Sequence, residues 1–232
     1  MRNCVKSAMR SNTCYRSSFQ NLVRDPFSCL RAIPLFLGVA LLISLSGCSE
    51  PPSLKPLTAD AVILAFGDSL TYGTGAEPEE SYPEVLAQRI GRNVVNAGIP
   101  GEVSADGLER LPELLSEVNP SLVILIHGGN DLLQRKNKPA AAKNIIAMIE
   151  LIRGSGAQVV MAGVPDFGLF LSTAKLYLEI AEQHSVPIEA EILPSVLSDL
   201  NKKSDTVHPN ADGYRELAIA METLLKDNGA LP

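Results

Sequence analysis

The chain has 232 residues, with 26 Asp plus Glu against 20 Lys plus Arg, a formal charge of -6 and a pI near 5.2. That acid balance excludes a broad nucleic-acid-binding surface as its organising feature. At 46% apolar and 20% charged, with a mean hydropathy of +0.13, it is neither disordered nor collagen-like, and its length makes one domain the default.

Charge and cysteines are unevenly placed. Residues 1–47 carry six Lys or Arg and one acid, Asp25, and all four cysteines (Cys4, Cys14, Cys29 and Cys48) fall in the first 48 positions. The remainder therefore has neither an internal disulfide nor a thiolate metal site. Ala32 to Leu45 is a mostly apolar run of 14 residues behind a basic segment. A spanning helix needs about 20 such residues, so this run reads as a signal-peptide core. Leu45-Ser46-Gly47-Cys48 resembles the lipobox of bacterial lipoproteins, which implies cleavage before Cys48 and lipidation of its thiol. Two or more acyl chains give stable membrane attachment. Ser49, rather than Asp, follows the cysteine, and by the same resemblance this implies the outer membrane, facing the periplasm. Pro51, Pro52 and Pro56 favour an extended linker over 48–60, long enough to hold a domain about 35 Å from the bilayer. The expected division is a leader over 1–47, a lipidated cysteine and linker over 48–60, and a folded domain over 61–232.

From residue 61 onward, short apolar runs alternate with helix-period stretches, the order expected of parallel strands joined by crossover helices. The predicted strands are Ala61–Phe66, Asn93–Asn96, Ser121–Ile126, Gln158–Ala162 and a weaker one at Pro187–Ala190. They lack strict alternation, as strands covered on both faces do. Ser81-Tyr82-Pro83-Glu84 has the form of a capping box opening a helix that stops near Gly91. Leu108, Leu111, Leu115 and Val118 share a helix face. So do Ala142, Ile145, Ile149 and Ile152, between Pro139 at a helix start and Gly154 at its end. A further helix is placed around Thr173–His184, and a last one after Asn210 buries Tyr214, Leu217, Met221 and Leu224. The class is α/β, a five-stranded parallel sheet with helices on both faces, whose post-strand loops all open at one edge.

Four polar segments meet at that edge: Gly67-Asp68-Ser69-Leu70; Asn96-Ala97-Gly98-Ile99-Pro100-Gly101-Glu102; His127-Gly128-Gly129-Asn130-Asp131; and Asp205-Thr206-Val207-His208-Pro209-Asn210. A serine, a histidine with an aspartate three residues before it, glycine amides and one asparagine amide are the parts of nucleophilic acyl transfer.

G-D-S-L, the glycine of the second block, G-x-N-D and D-x-x-H-P, in that order, resemble the four signature blocks of the SGNH, or GDSL, hydrolase superfamily over about Ala61 to Leu225. Within it, the stretch GDSLTYGTGAEPEESYPEVLA is most similar to arylesterases and the bacterial periplasmic thioesterase/lysophospholipase type. The resemblance implies a three-layer flavodoxin-like fold and hydrolysis of esters or thioesters. It makes Ser69 the nucleophile, His208 the base and Asp205 the orienting acid. Gly101, Asn130 and the Ser69 amide form the oxyanion hole. No metal or organic cofactor is called for, and the partner is a small-molecule ester. One departure is Val103, where Thr is common, which puts a side-chain contact in doubt.

Other readings stand beside these. Ser69 in a glycine-flanked turn also fits a helix cap or an anion site. His127 reads as a hydrogen-bonded structural residue, His184 as a surface residue at a helix C-terminus, and Asp68 and Asp131 as loop-orienting carboxylates. Val164 to Leu171 offers apolar side chains either for an acyl or aryl pocket or for packing under a helix. A short- or medium-chain acyl, aryl or lysophospholipid esterase is the leading reading. An envelope-polysaccharide O-acetylesterase and a non-catalytic binding lipoprotein are the alternatives.

Overall fold

A computed structural model of the chain describes residues 53–166 and 171–232. The predicted leader, Cys48 and Phe167–Phe170 lie outside the described residues.

Five strands form one parallel sheet: β1 (Val62–Gly67), β2 (Asn93–Gly98), β3 (Leu122–Ile126), β4 (Gln158–Ala162) and β7 (Ile188–Glu189), in the order β2-β1-β3-β4-β7. Every residue of β3 is buried, and so is all of β1 after Val62, which is why neither alternates in sequence. The edge strand β2 is only partly covered. Two further strands the sequence did not predict, β5 (Pro165–Asp166) and β6 (Ser172–Thr173), make a small antiparallel pair.

The helices are α1 (Ser69–Tyr72), α2 (Tyr82–Ile90), α3 (Ser104–Val118), α4 (Gly129–Leu133), α5 (Lys138–Gly154), α6 (Lys175–His184), α7 (Ile192–Ser198) and α8 (Ala211–Asp227). The chain steps from β1 to β2 in one direction and from β2 through β3 and β4 to β7 in the other. Right-handed crossovers therefore put α2 on one face of the sheet and α3, α5 and α6 on the other. The packing agrees: α2 lies against α8, and α3 against α5. This is the expected three-layer arrangement.

Helix starts differ in one instructive case. Asn137 and Asn210 accept from Ala140 and Gly213 amides at 3.1 Å each, capping α5 and α8 as Pro139 and Asn210 suggested. Ser81 does begin α2, but its hydroxyl donates to the Pro78 carbonyl at 2.8 Å, so the predicted capping box does not form there. The preceding short 3₁₀ turn, Pro78–Glu80, takes that role, with the Glu77 amide donating to Glu80 Oε2 at 3.2 Å.

The segment read as a linker is packed where it is described. Leu54 and Leu57 amides donate to Asn228 and Ala230 carbonyls at 2.8 and 2.9 Å, and Leu57 is only 8% exposed. Lys55 exchanges two bonds with the Gln158 side chain, and Arg92 reaches the Leu57 and Thr58 carbonyls. Two apolar side chains with backbone partners outweigh the prolines' preference for a solvated extended chain. Burying one such leucine contributes about 1.5–3 kcal/mol. Gln158 opens β4 and Arg92 precedes β2, so the described segment from Leu54 to Thr58 runs along the edge where the strands begin.

Candidate active site

The in-register pairing of Gly67 with Gly98 and with Ile126 brings the ends of β1, β2 and β3 level. The loops that follow carry Ser69, Gly101 and Asn130. Ser69 is the first residue of α1, a single turn that Asp68 builds. The Asp68 carboxylate accepts the Leu70 amide at 3.1 Å, and its carbonyl accepts those of Thr71 and Tyr72 at 3.1 and 2.9 Å. The Ser69 amide is left without a partner among the described residues.

His208 arrives from the loop before α8. Its Nε2 lies 2.9 Å from Ser69 Oγ and its Nδ1 2.7 Å from Asp205 Oδ2. Asp205 Oδ1 also accepts the Val207 and His208 amides at 2.8 and 2.9 Å, so a single carboxylate shapes the loop and sets the ring. Burial tends to raise the Asp205 carboxyl, but the bonds from the His208 ring and these two amides outweigh it and hold it below the usual carboxylate range. With Nδ1–H donated to Asp205, the Nε2 lone pair faces the serine hydroxyl, the arrangement a general base requires.

Gly101 is the third residue of a turn from Ile99 to Glu102, closed by the Glu102 amide on the Ile99 carbonyl at 3.2 Å. Its φ of +81° is the left-handed conformation that the third position of a Pro-Gly turn needs. Asn130, in α4, donates through Nδ2 to the Glu102 carbonyl at 2.9 Å and, over a longer 3.3 Å, to Asp68 Oδ2. Ser69, Asn130 and His208 line one cleft with apolar walls from Leu133, Val164, Leu197 and Val207. Gly101 lies in the neighbouring loop and does not line that cleft.

Behind the site stands a network that the sequence reading did not find. Glu102 receives Arg110 Nε and Nη2 at 2.6 Å each and faces His127 Nε2 at 2.9 Å. Arg110 also donates to the Ala97 and Gly67 carbonyls at 2.9 and 3.2 Å, and its guanidinium sits 4.2 Å above the Phe66 ring. One arginine thus ties the ends of β1 and β2 to the turn that holds Gly101. Burial would raise the Glu102 carboxyl, yet the hydrogen bonds from His127 and Arg110 and the charge of Arg110 leave it below its ordinary value. Gly107 is small for this network, because a Cβ there would stand 2.2 Å from His127 Nε2.

His127 is buried and structural, its carbonyl also accepting the Tyr177 hydroxyl at 2.8 Å. Asp131 orients its loop: its carboxylate takes the Ser104 amide and hydroxyl at 2.8 Å each, tying α4 to the start of α3. Ser104 thereby makes the polar contact that Val103, buried beside it, cannot. Asp68 is buried to 2% exposure, which pushes its carboxyl above the usual range against the pull of His127, the Leu70 amide and His208. His184 sits half-buried in the last turn of α6. Of the stretch Val164 to Leu171, Val164 is buried and lines the cleft.

The profile of the GDSL-like lipase/acylhydrolase family matches residues 65–216, which span all four polar segments. The chain is 32% identical over 178 residues to Esterase TesA of Pseudomonas aeruginosa, covering 71% of this chain and 88% of that one. To the Arylesterase of Vibrio mimicus it is 31% identical over 193 residues, 78% of this chain and 92% of the relative. The crystal structure of TesA superposes with a TM-score of 0.66 at 28% identity, covering 72% of this chain and 99% of that one. With its sheet order, its serine–histidine–aspartate geometry and this match in hand, the chain belongs to the GDSL-like lipase/acylhydrolase family.

Proposed function

We propose that the protein is a serine ester hydrolase acting through an acyl-Ser69 intermediate, and the observation that carries this is the hydrogen-bonded chain Ser69 Oγ–His208 Nε2, His208 Nδ1–Asp205 Oδ2. A serine hydroxyl is a weak nucleophile until an adjacent base removes its proton as it attacks. His208 takes that proton on Nε2, and Asp205 holds the ring and balances the imidazolium. The oxyanion that forms is met at the cleft by the Ser69 amide and Asn130 Nδ2, and the family resemblance adds the Gly101 amide from the neighbouring loop. To reach it, Asn130 gives up its long bond to Asp68 while keeping the shorter one to the Glu102 carbonyl. Such donors stabilise the developing charge with little rearrangement, here the loss of one long hydrogen bond, and removing one typically costs about 3–4 kcal/mol of barrier. His208 then protonates the departing alkoxide or thiolate. Water attacks the acyl-serine ester with His208 again as base, releasing the acid and restoring the Ser69 hydroxyl.

The apolar cleft walls favour short or medium acyl and aryl groups, and the relatives named esterase and arylesterase support esters and aryl esters as the substrate class. The thioesterase/lysophospholipase of Escherichia coli, 27% identical over 186 residues, extends it to thioesters and lysophospholipids. Attachment to a bacterial membrane through lipidated Cys48 is part of the proposal and rests on the leader sequence. A panel of p-nitrophenyl esters of graded acyl length, with acyl-CoA thioesters and acetylated glycans, tests the reading. The wild type is expected to cleave the shorter acyl members, and Ser69→Ala none. Turnover that survives Ser69→Ala would remove Ser69 from the role.

A further inference from the structure

We infer that the anchored protein sits with the strand-start edge of its sheet against the bilayer and its catalytic cleft facing away, so that its esters come from the aqueous phase and not from the leaflet that holds it. This rests on the proposed lipidation of Cys48 and on the serine esterase reading.

The position of the N-terminal segment carries the inference. The Leu54 amide is fixed to the Asn228 carbonyl at 2.8 Å and Lys55 to the Gln158 side chain, both at the edge where the strands begin. Only six peptide steps separate Cys48 from Leu54, and at no more than about 3.6 Å each they reach about 22 Å at most. The 35 Å stand-off expected of a free linker is therefore not available. Ser69 and Asn130 follow the opposite ends of β1 and β3. Six residues of β1 at about 3.3 Å per residue put about 20 Å of sheet between the two edges. A tether of about that length, fixed to one edge, has no slack to lay the loops beyond the other edge flat on the same bilayer.

A surface suited to a lipid interface adjoins the tether. The C-terminal halves of α3 and α5 form a mainly apolar groove lined by Pro112, Leu115 and Leu151, with Gly154 and Ser155 leading directly to Gln158. Leu151 is 38% exposed there, and Leu133, at the cleft, is 42% exposed. These two leucines make matched reporters, because the chain contains no tryptophan.

The mature full chain carrying Leu151→Trp or Leu133→Trp is anchored to phosphatidylethanolamine/phosphatidylglycerol vesicles containing brominated acyl chains, and tryptophan emission is read. Leu151→Trp is expected to lose emission at least ~2-fold relative to unbrominated vesicles, and Leu133→Trp to lose none. Equal or stronger quenching of Leu133→Trp overturns the orientation, and so does quenching of neither. A second reading uses a long-chain umbelliferyl ester dissolved in the same vesicles. A variant with a ~20-residue Gly/Ser insertion after Ser49, free to turn, is expected to cleave it ~10-fold faster than the wild type, with both equal on a water-soluble ester. Equal rates on the vesicle-borne ester, high or absent, contradict the inference when the same ester in detergent micelles is cleaved. The underlying readings fail separately. Missing hydrolysis of the soluble ester removes the esterase assignment. An unmodified Cys48 in the intact mass removes the lipid, and coupling that thiol, the one cysteine after residue 47, to a maleimide lipid restores the same tether and the same test.

Discussion

The described residues hold two carboxylate–imidazole pairs of nearly equal length, Asp205–His208 at 2.7 Å and Glu102–His127 at 2.9 Å, and only one is built for proton transfer. The difference lies in the second ring nitrogen. In His208 it faces the Ser69 hydroxyl at 2.9 Å, in a partly open cleft. In His127 it accepts the Gly128 amide at 2.8 Å, so its lone pair is already used and nothing reactive can reach it. The acids differ too: Asp205 is half exposed and serves its histidine and two amides, whereas Glu102 is buried and held by both ends of Arg110. An acid–histidine distance alone therefore identifies no catalytic dyad; what the far nitrogen faces does.

Substitutions can break this contrast, and the largest expected effect is on the open pair. His208→Ala should lower ester turnover by about 10⁴ or more, because base and acid are lost together. Next, Asn130→Ala should lower kcat by about 10²–10³ at little change in KM, as for loss of one oxyanion donor. It should also cost about 1 kcal/mol of stability through the bond lost at buried Asp68, read by urea unfolding. In the closed pair the loss moves from rate to stability. Glu102→Gln leaves Arg110 without its ion partner and is expected to destabilise by about 3 kcal/mol, near the lower end for a buried pair because Arg110 is 20% exposed. The smallest rate effect belongs to His127→Gln, which should unfold at a lower temperature yet keep turnover within about tenfold of wild type, in contrast to His208.

The same pair predicts a pH signature. Glu102 has a folded-state value below its ordinary one, so its contribution is complete at neutral pH and is lost as pH falls through and below the usual carboxylate range. Glu102→Gln should therefore flatten the acid side of the stability–pH curve, while leaving the slope above neutrality unchanged. An unaltered acid limb would show that Glu102 carries no such linkage.

How much of this could be read from the chain depends on whether the signal is local. The long strands and helices were legible because β1 and β3 are continuous apolar runs and α3, α5 and α8 keep helical spacing at Leu111, Ile145, Ile149 and Leu217. The hydrogen-bonded set Ser69, His208 and Asp205 was legible because its residues sit in short blocks with fixed neighbours. The short helices α1, α4 and α7, of four, five and seven residues, are too brief to show a period, and the two-residue strands β5 and β6 carry no pattern. Glu102, Arg110 and His127 lie up to 25 residues apart and meet only through the sheet register, so nothing nearby in sequence marks them as partners. The N-terminal segment misled for a related reason: its prolines are local, but the carbonyls that bind Leu54 and Leu57 come from the far end of the chain.

Covalent capture tests the central claim most directly. Incubation of the protein with a fluorophosphonate probe, followed by peptide mapping, is expected to place a single adduct on Ser69, absent from Ser69→Ala, strongly slowed in His208→Ala and nearly unchanged in His127→Gln. A wild-type protein that takes up no probe, or that is labelled at another serine, would contradict the account and favour a cleft used for binding alone.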